Sequence, residues 1–103
     1  MEKVIRDGKV AVLYSPGFGA GWSSWNPEYP AMLFDTEIVL ALEDGRALAY
    51  IEKIAQKNYP GAYLGGMEDL DIAWIPEGSQ FEIEEYDGSE SIHIIGTREY
   101  YTA

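Results

Sequence analysis

The side chains best equipped for chemistry lie in one short acidic run, Glu82, Glu84, Glu85, Asp87 and Glu90, followed by His93, the one histidine of the chain. Carboxylates at this density can hold a hard cation such as calcium, or act as an acid and base pair on a glycosidic bond. Nothing in the order of residues specifies either use: EF-hand spacing is absent, and no separation between two carboxylates is set. His93 has no cysteine to work with and no G-x-S-x-G elbow, so nucleophilic catalysis lacks its parts. Its place between Ile92 and Ile94 puts it on the strand face opposite the core. A second candidate is Gly17-x-Gly19-x-Gly21 after an apolar strand. The dinucleotide fingerprint needs a different spacing, a helix opening at the third glycine and an acid about 20 residues later. Here the chain runs into Trp22-Ser-Ser-Trp-Asn-Pro27, and no Gly-Lys-Ser/Thr follows to make a P-loop. No catalytic residue, metal or cofactor is assigned on these grounds.

What remains is recognition. The stretch from Ser15 to Pro27 holds Phe18, Trp22 and Trp25 among three glycines, with Tyr29 just beyond. Aromatics on such a loop make a shelf with large contact area and polar tips, suited to a flat ligand or a protein anchor. Phe18, Gly19, Gly21, Trp22, Trp25 and Asn26 are the candidate ligand or partner contacts. The competing structural role is that the tryptophan rings close one end of a small core, since large aromatics are highly buried on average. The second candidate surface is an acidic face of Glu82, Glu84, Tyr86, Asp87 and Glu90. Glu82 and Glu84 alternate along a strand and so lie roughly 7 Å apart. That is close to phosphate spacing, but any two alternating acids would give it.

Composition narrows the partners. The 103 residues carry 18 acids against seven Lys and Arg, a formal net charge of −11. Ten of those acids, with Arg98 the only Lys or Arg, lie from Glu68 onward. Nucleic-acid backbones are gripped by clustered cations, so direct backbone binding is excluded as a general activity. An acidic half keeps a protein in solution or meets a basic partner. There is no cysteine, so no disulfide scaffold. The N-terminal residues lack the apolar core of a signal peptide, and no apolar run reaches the roughly 20 residues of a membrane helix. A cytoplasmic protein with no membrane association is expected.

The positioning elements read as α+β in a single domain spanning 1–103. Glu2–Arg6 and Lys9–Tyr14 form a hairpin about Asp7-Gly8. The second strand, Val10-Ala-Val-Leu-Tyr14, is apolar on both faces and is therefore expected to be central and covered on both sides. Asp35 caps a short helix ended by Gly45, and Arg46–Asn58 gives a longer one with Leu48, Ile51, Ile54 and Ala55 on its apolar face. Leu70–Ile75, Phe81–Tyr86 and Ser91–Ile95 form a C-terminal antiparallel meander through turns at Pro76–Ser79 and Asp87-Gly88, before a Tyr-rich tail from Arg98. The expected whole is one mostly antiparallel sheet with helices on one face.

Val12-Leu-Tyr-Ser-Pro-Gly-Phe-Gly-Ala-Gly-Trp-Ser-Ser-Trp-Asn26, Leu33-Phe-Asp35 and Phe81-Glu-Ile-Glu-Glu-Tyr-Asp-Gly-Ser-Glu-Ser91 together resemble a group of short, acidic, uncharacterised proteins encoded by bacteriophages and prophages. The resemblance implies phage origin and transfers no site residues. Small acidic phage proteins often act by binding, blocking host enzymes or defence complexes or sequestering a signalling nucleotide. The expected function is thus that of a non-enzymatic protein that contacts or inhibits a host or phage macromolecule bearing a basic surface. The alternative is a small-ligand binder of nucleotide type using loop amides, helped by Arg6, Lys9 or Arg98. A carboxylate-based hydrolase comes third. The loop aromatics would equally close a homo-oligomer.

Overall fold

Asp7 and Gly8 turn the chain with φ of 52° and 76°, the pair of positive values that a type I′ hairpin requires. They join β1 (Ile5–Arg6) to β2 (Lys9–Tyr14). The computed structural model describes residues 2–95 and 101–103, so Arg98 and the start of the tail lie outside the described residues. Thr36–Glu43 forms α1 and Leu48–Asn58 forms α2; β3 (Asp71–Pro76), β4 (Gln80–Tyr86), β5 (Ser89–Ile95) and β6 (Tyr101–Thr102) follow. The fold is α+β, with an N-terminal hairpin, two central helices and C-terminal antiparallel strands. Among the described residues no helix is long and apolar enough to cross a membrane.

β2 is the centre. It pairs antiparallel with β1 on one side and β3 on the other, with Val10 opposite Ile75 and Leu13 opposite Ile72. Ala11 and Leu13 pack toward Trp22, Ile38, Val39, Ile51 and Ala55, on the helical side. Val10 and Val12 pack toward Leu33, Phe34, Ile75 and Phe81. All four β2 residues are fully buried, so the strand is covered on both faces as its composition requires.

The expected single sheet is in fact two. β1-β2-β3 form one, and β4 pairs with β5 and β6 in another. The turn after Pro76 therefore does not lay β4 beside β3, and the three-stranded meander is broken after its first strand. The reason lies in what holds that turn. Glu77 N–H donates to Gly8 O at 2.8 Å, Gly78 N–H to Ala103 O and Ala103 N–H to Ser79 O, both at 3.0 Å. These contacts tie the turn to the first hairpin and the chain end. The second sheet, through Phe81, then covers the valine face of β2 that the helices leave open.

Asp35 caps α1 as expected, accepting from Ile38 N–H at 2.9 Å. Its other oxygen accepts from Asn58 Nδ2 (2.9 Å) and Tyr59 OH (2.6 Å), so the cap also pins the end of α2. Burial, and then this bond to Asp35, hold the Tyr59 phenol well above the usual tyrosine range. Gly45 closes α1 at φ 69°, with Arg46 N–H reaching Ala41 O and Gly45 N–H reaching Leu42 O, a Schellman motif. On α2, Ile51 and Ala55 are buried, but Leu48, expected on the same apolar face, is exposed at the helix start.

Candidate functional site

The glycine-rich loop leaves β2 at Ser15 and is organised by one carboxylate. Glu90, the second residue of β5, is 2% exposed. Its Oε1 accepts from Ser15 N–H at 2.9 Å. Its Oε2 accepts from Trp22 N–H (2.7 Å), Ser24 N–H (3.0 Å) and Ser24 Oγ (2.5 Å). In return Glu90 N–H donates to Ser15 O at 2.8 Å. A loop without repetitive structure leaves its amides unpaired, and buried amides must find an acceptor; here that acceptor is Glu90.

This overturns the placing of Glu90 on an exposed acidic face. Strand parity puts Glu90 with Ile92 on the core side of the hairpin, opposite Glu85 in the register. The same docking brings the β4–β5 turn into the loop. Gly19 N–H donates to Asp87 O (2.7 Å) and Ser89 Oγ to Pro16 O (2.6 Å). Gly88 adopts φ 86° and lies against the backbone of Ala20, where a Cβ would collide. Gly21 is constrained by side chains, because a Cβ there would collide with Ser24 Oγ and stand 2.8 Å from Trp25 Cδ1 and 3.0 Å from Glu90 Oε2.

Trp22 is fully buried, and its Nε1–H donates to Met32 O at 2.7 Å. Asn26 is buried too: Nδ2 donates to Trp22 O (2.9 Å) and Tyr63 O (3.0 Å), while Oδ1 accepts from Tyr63 N–H (2.7 Å). These two expected contacts, with buried Gly21, are out of reach of a partner, and they hold the loop in shape. Trp25 is different. It is 39% exposed, stacks on Tyr63 with centroids 5.3 Å apart, and donates from Nε1 to Glu85 Oε2 at 3.1 Å. Gly88 N–H donates to the same oxygen at 2.7 Å. The Trp25 bond, then the Gly88 amide, hold the Glu85 carboxyl below the usual range.

The outward surface consists of what this scaffold pushes into solvent. Phe18 and Tyr86 are each 73% exposed. Together with Glu84, Glu85, Ser89 and Ser91 they line an open groove of about 360 Å³. Loop and acidic hairpin, read separately in the sequence, thus share one surface. Glu82, Glu84 and His93 lie on the outer face of the β4–β5 hairpin, with Glu82 opposite His93 in the register. His93 Nε2 sits 2.6 Å from Glu84 Oε1. The exposed Asp87 contributes its backbone to the turn, at φ 49°.

No family model, curated protein or solved structure matches the chain.

Tyr63 and the inward role of Glu85 are additions that sequence reading did not assign; both follow from where Trp25 lands. Of the loop amides, those of Ser15, Trp22 and Ser24 are engaged by Glu90, and that of Gly19 by Asp87 O. Arg6 pairs with Glu43 and lies over Trp74, and Lys9 begins β2, so by strand rise it is about 20 Å from Ser15. Neither cation reaches the loop.

Proposed function

We propose that the chain is a non-enzymatic binding protein that contacts a basic surface on a host or phage macromolecule, in keeping with its resemblance to phage-encoded chains and an expected cytoplasmic setting. The observation that carries this reading is the groove in which Phe18 and Tyr86, both exposed, flank Glu84 and Glu85. Exposed aromatics beside carboxylates suit a lysine or arginine side chain, which gains a cation–π face and a charge partner together. The net charge of −11 steers such a partner in from a distance. The nucleotide alternative loses support, because the Ser15, Gly19, Trp22 and Ser24 amides already have acceptors and Arg6 and Lys9 lie away from the loop.

Fluorescence anisotropy with a labelled deca-arginine peptide tests the reading. Affinity should fall steeply between low and physiological salt, as expected for exposed charges under a Debye length of about 8 Å. Phe18→Ala, which leaves the charge unchanged, should weaken binding at least about fivefold, the scale of an interface anchor worth about 1 kcal/mol. Its stability should stay within about 0.5 kcal/mol of the parent, because the ring touches solvent. Glu84→Lys should weaken binding far more than Glu52→Lys, an equal charge change on the exposed face of α2. Equal effects of the two reversals, with no effect of Phe18→Ala, would reduce the binding to nonspecific charge attraction and contradict the proposal.

A further inference from the structure

We infer that Glu82, Glu84 and His93 form a site for a first-row divalent metal ion of the zinc type. The three side chains come from paired strands whose register is set by the hairpin: Glu82 and Glu84 alternate on β4, and His93 stands opposite Glu82 on β5. One donor atom from each lies within 4.8 Å of the other two. His93 Nε2 already points at Glu84 Oε1. Among the described residues the Glu82 carboxylate has no hydrogen-bond or ion-pair partner, although it is half-buried.

The donor set decides the class of ion. A row of carboxylates alone would suit calcium or magnesium, which take oxygen ligands. An imidazole nitrogen among two carboxylates shifts the preference toward zinc, nickel or cobalt. Donors about 2.0–2.2 Å from a tetrahedral zinc ion lie roughly 3.3 Å from one another. Small side-chain rotations of the two glutamates and His93 would bring the present cluster to that spacing. Three protein ligands leave a coordination position for water or for a group on a partner. The ion would also offset part of the negative charge beside the Phe18–Tyr86 groove, but its binding does not depend on the groove having a partner.

The test uses the full chain with any affinity tag removed. Because His93 is the only histidine, its imidazole resonances report the site without interference. Titration with zinc chloride should shift those resonances and saturate at one ion per chain, whereas magnesium chloride at the same concentrations should leave them unmoved. In calorimetry, His93→Ala should weaken zinc binding at least about tenfold, at or above the loss seen when even an outer partner of a metal ligand is removed. Glu82→Gln should weaken it as well. Both side chains face outward, so the variants should keep the parent's circular dichroism spectrum. Zinc binding of unchanged affinity in His93→Ala, magnesium binding as tight as zinc, or an imidazole unmoved at tenfold excess zinc would each overturn the inference.

Discussion

Glu90→Ala is expected to remove about 4 kcal/mol of stability, a size that few mechanisms reach, the breaking of a buried polar network among them. The carboxylate accepts four hydrogen bonds from Ser15, Trp22 and Ser24. The Ser15 and Trp22 amides are buried, and each buried donor left without an acceptor costs about 1–3 kcal/mol. Ser24 is exposed, so its groups recover water and add less. Glu90→Gln separates charge from shape. The amide oxygen can replace Oε2 and keep three bonds, but the NH₂ group then faces Ser15 N–H, donor against donor. A loss of about 2 kcal/mol follows, intermediate between parent and alanine. Urea denaturation measures both as shifts in midpoint at constant slope. A glutamine variant as stable as the parent would mean that the carboxylate's charge and its Ser15 bond contribute nothing.

Trp22→Ala should cost about 3–5 kcal/mol, the range for removing a buried large aromatic. The side chain lies in the helical core with Leu13, Met32 and Ile38, and its Nε1–H is the donor to the Met32 carbonyl. Trp22→Phe keeps most of the apolar volume but leaves that carbonyl without this donor, so about 1–2 kcal/mol should be lost. Thermal or urea unfolding followed by circular dichroism ranks the series. The contrast with Phe18 matters for function: a loss of partner binding in Trp22→Ala would report a collapsed loop, whereas the same loss in Phe18→Ala would report a missing contact. An alanine at Trp22 that cost under about 1 kcal/mol would place the indole outside the core.

Why some of this was legible in the sequence and some was not follows from which forces are local. Asp7-Gly8, the Asp35 cap and the Gly45 stop are set by backbone conformation within a few residues, and they appear where sequence puts them. The double-sided apolar run of β2 correctly demanded cover on both faces. It did not say that a second sheet would supply one of them, because that depends on where the Pro76–Ser79 turn is tethered. Trp22 and Trp25 are three apart, and one helical turn would have set both rings on one side. The short 3₁₀ turn covers only Ser23–Trp25, and Trp22 precedes it at φ −101° and ψ −98°. Its ring therefore follows the core and not the helical period. Glu90 was open to prediction. It shares parity with Ile92, and a carboxylate on the inward side of a strand calls for a set of donors, which the glycine-rich loop holds.

The central claim is that the loop is a rigid platform clamped by the Glu90 carboxylate, and amide hydrogen exchange on the unmodified chain addresses it most directly. The Trp22 and Ser15 amides should exchange as slowly as those of β2, because opening them requires breaking the buried carboxylate network. The Phe18 amide, on the exposed tip of the same loop, should exchange fast. Trp22 and Ser15 amides that exchange as fast as Phe18 would contradict the clamp, and with it the fixed placement of Phe18 beside the acidic hairpin.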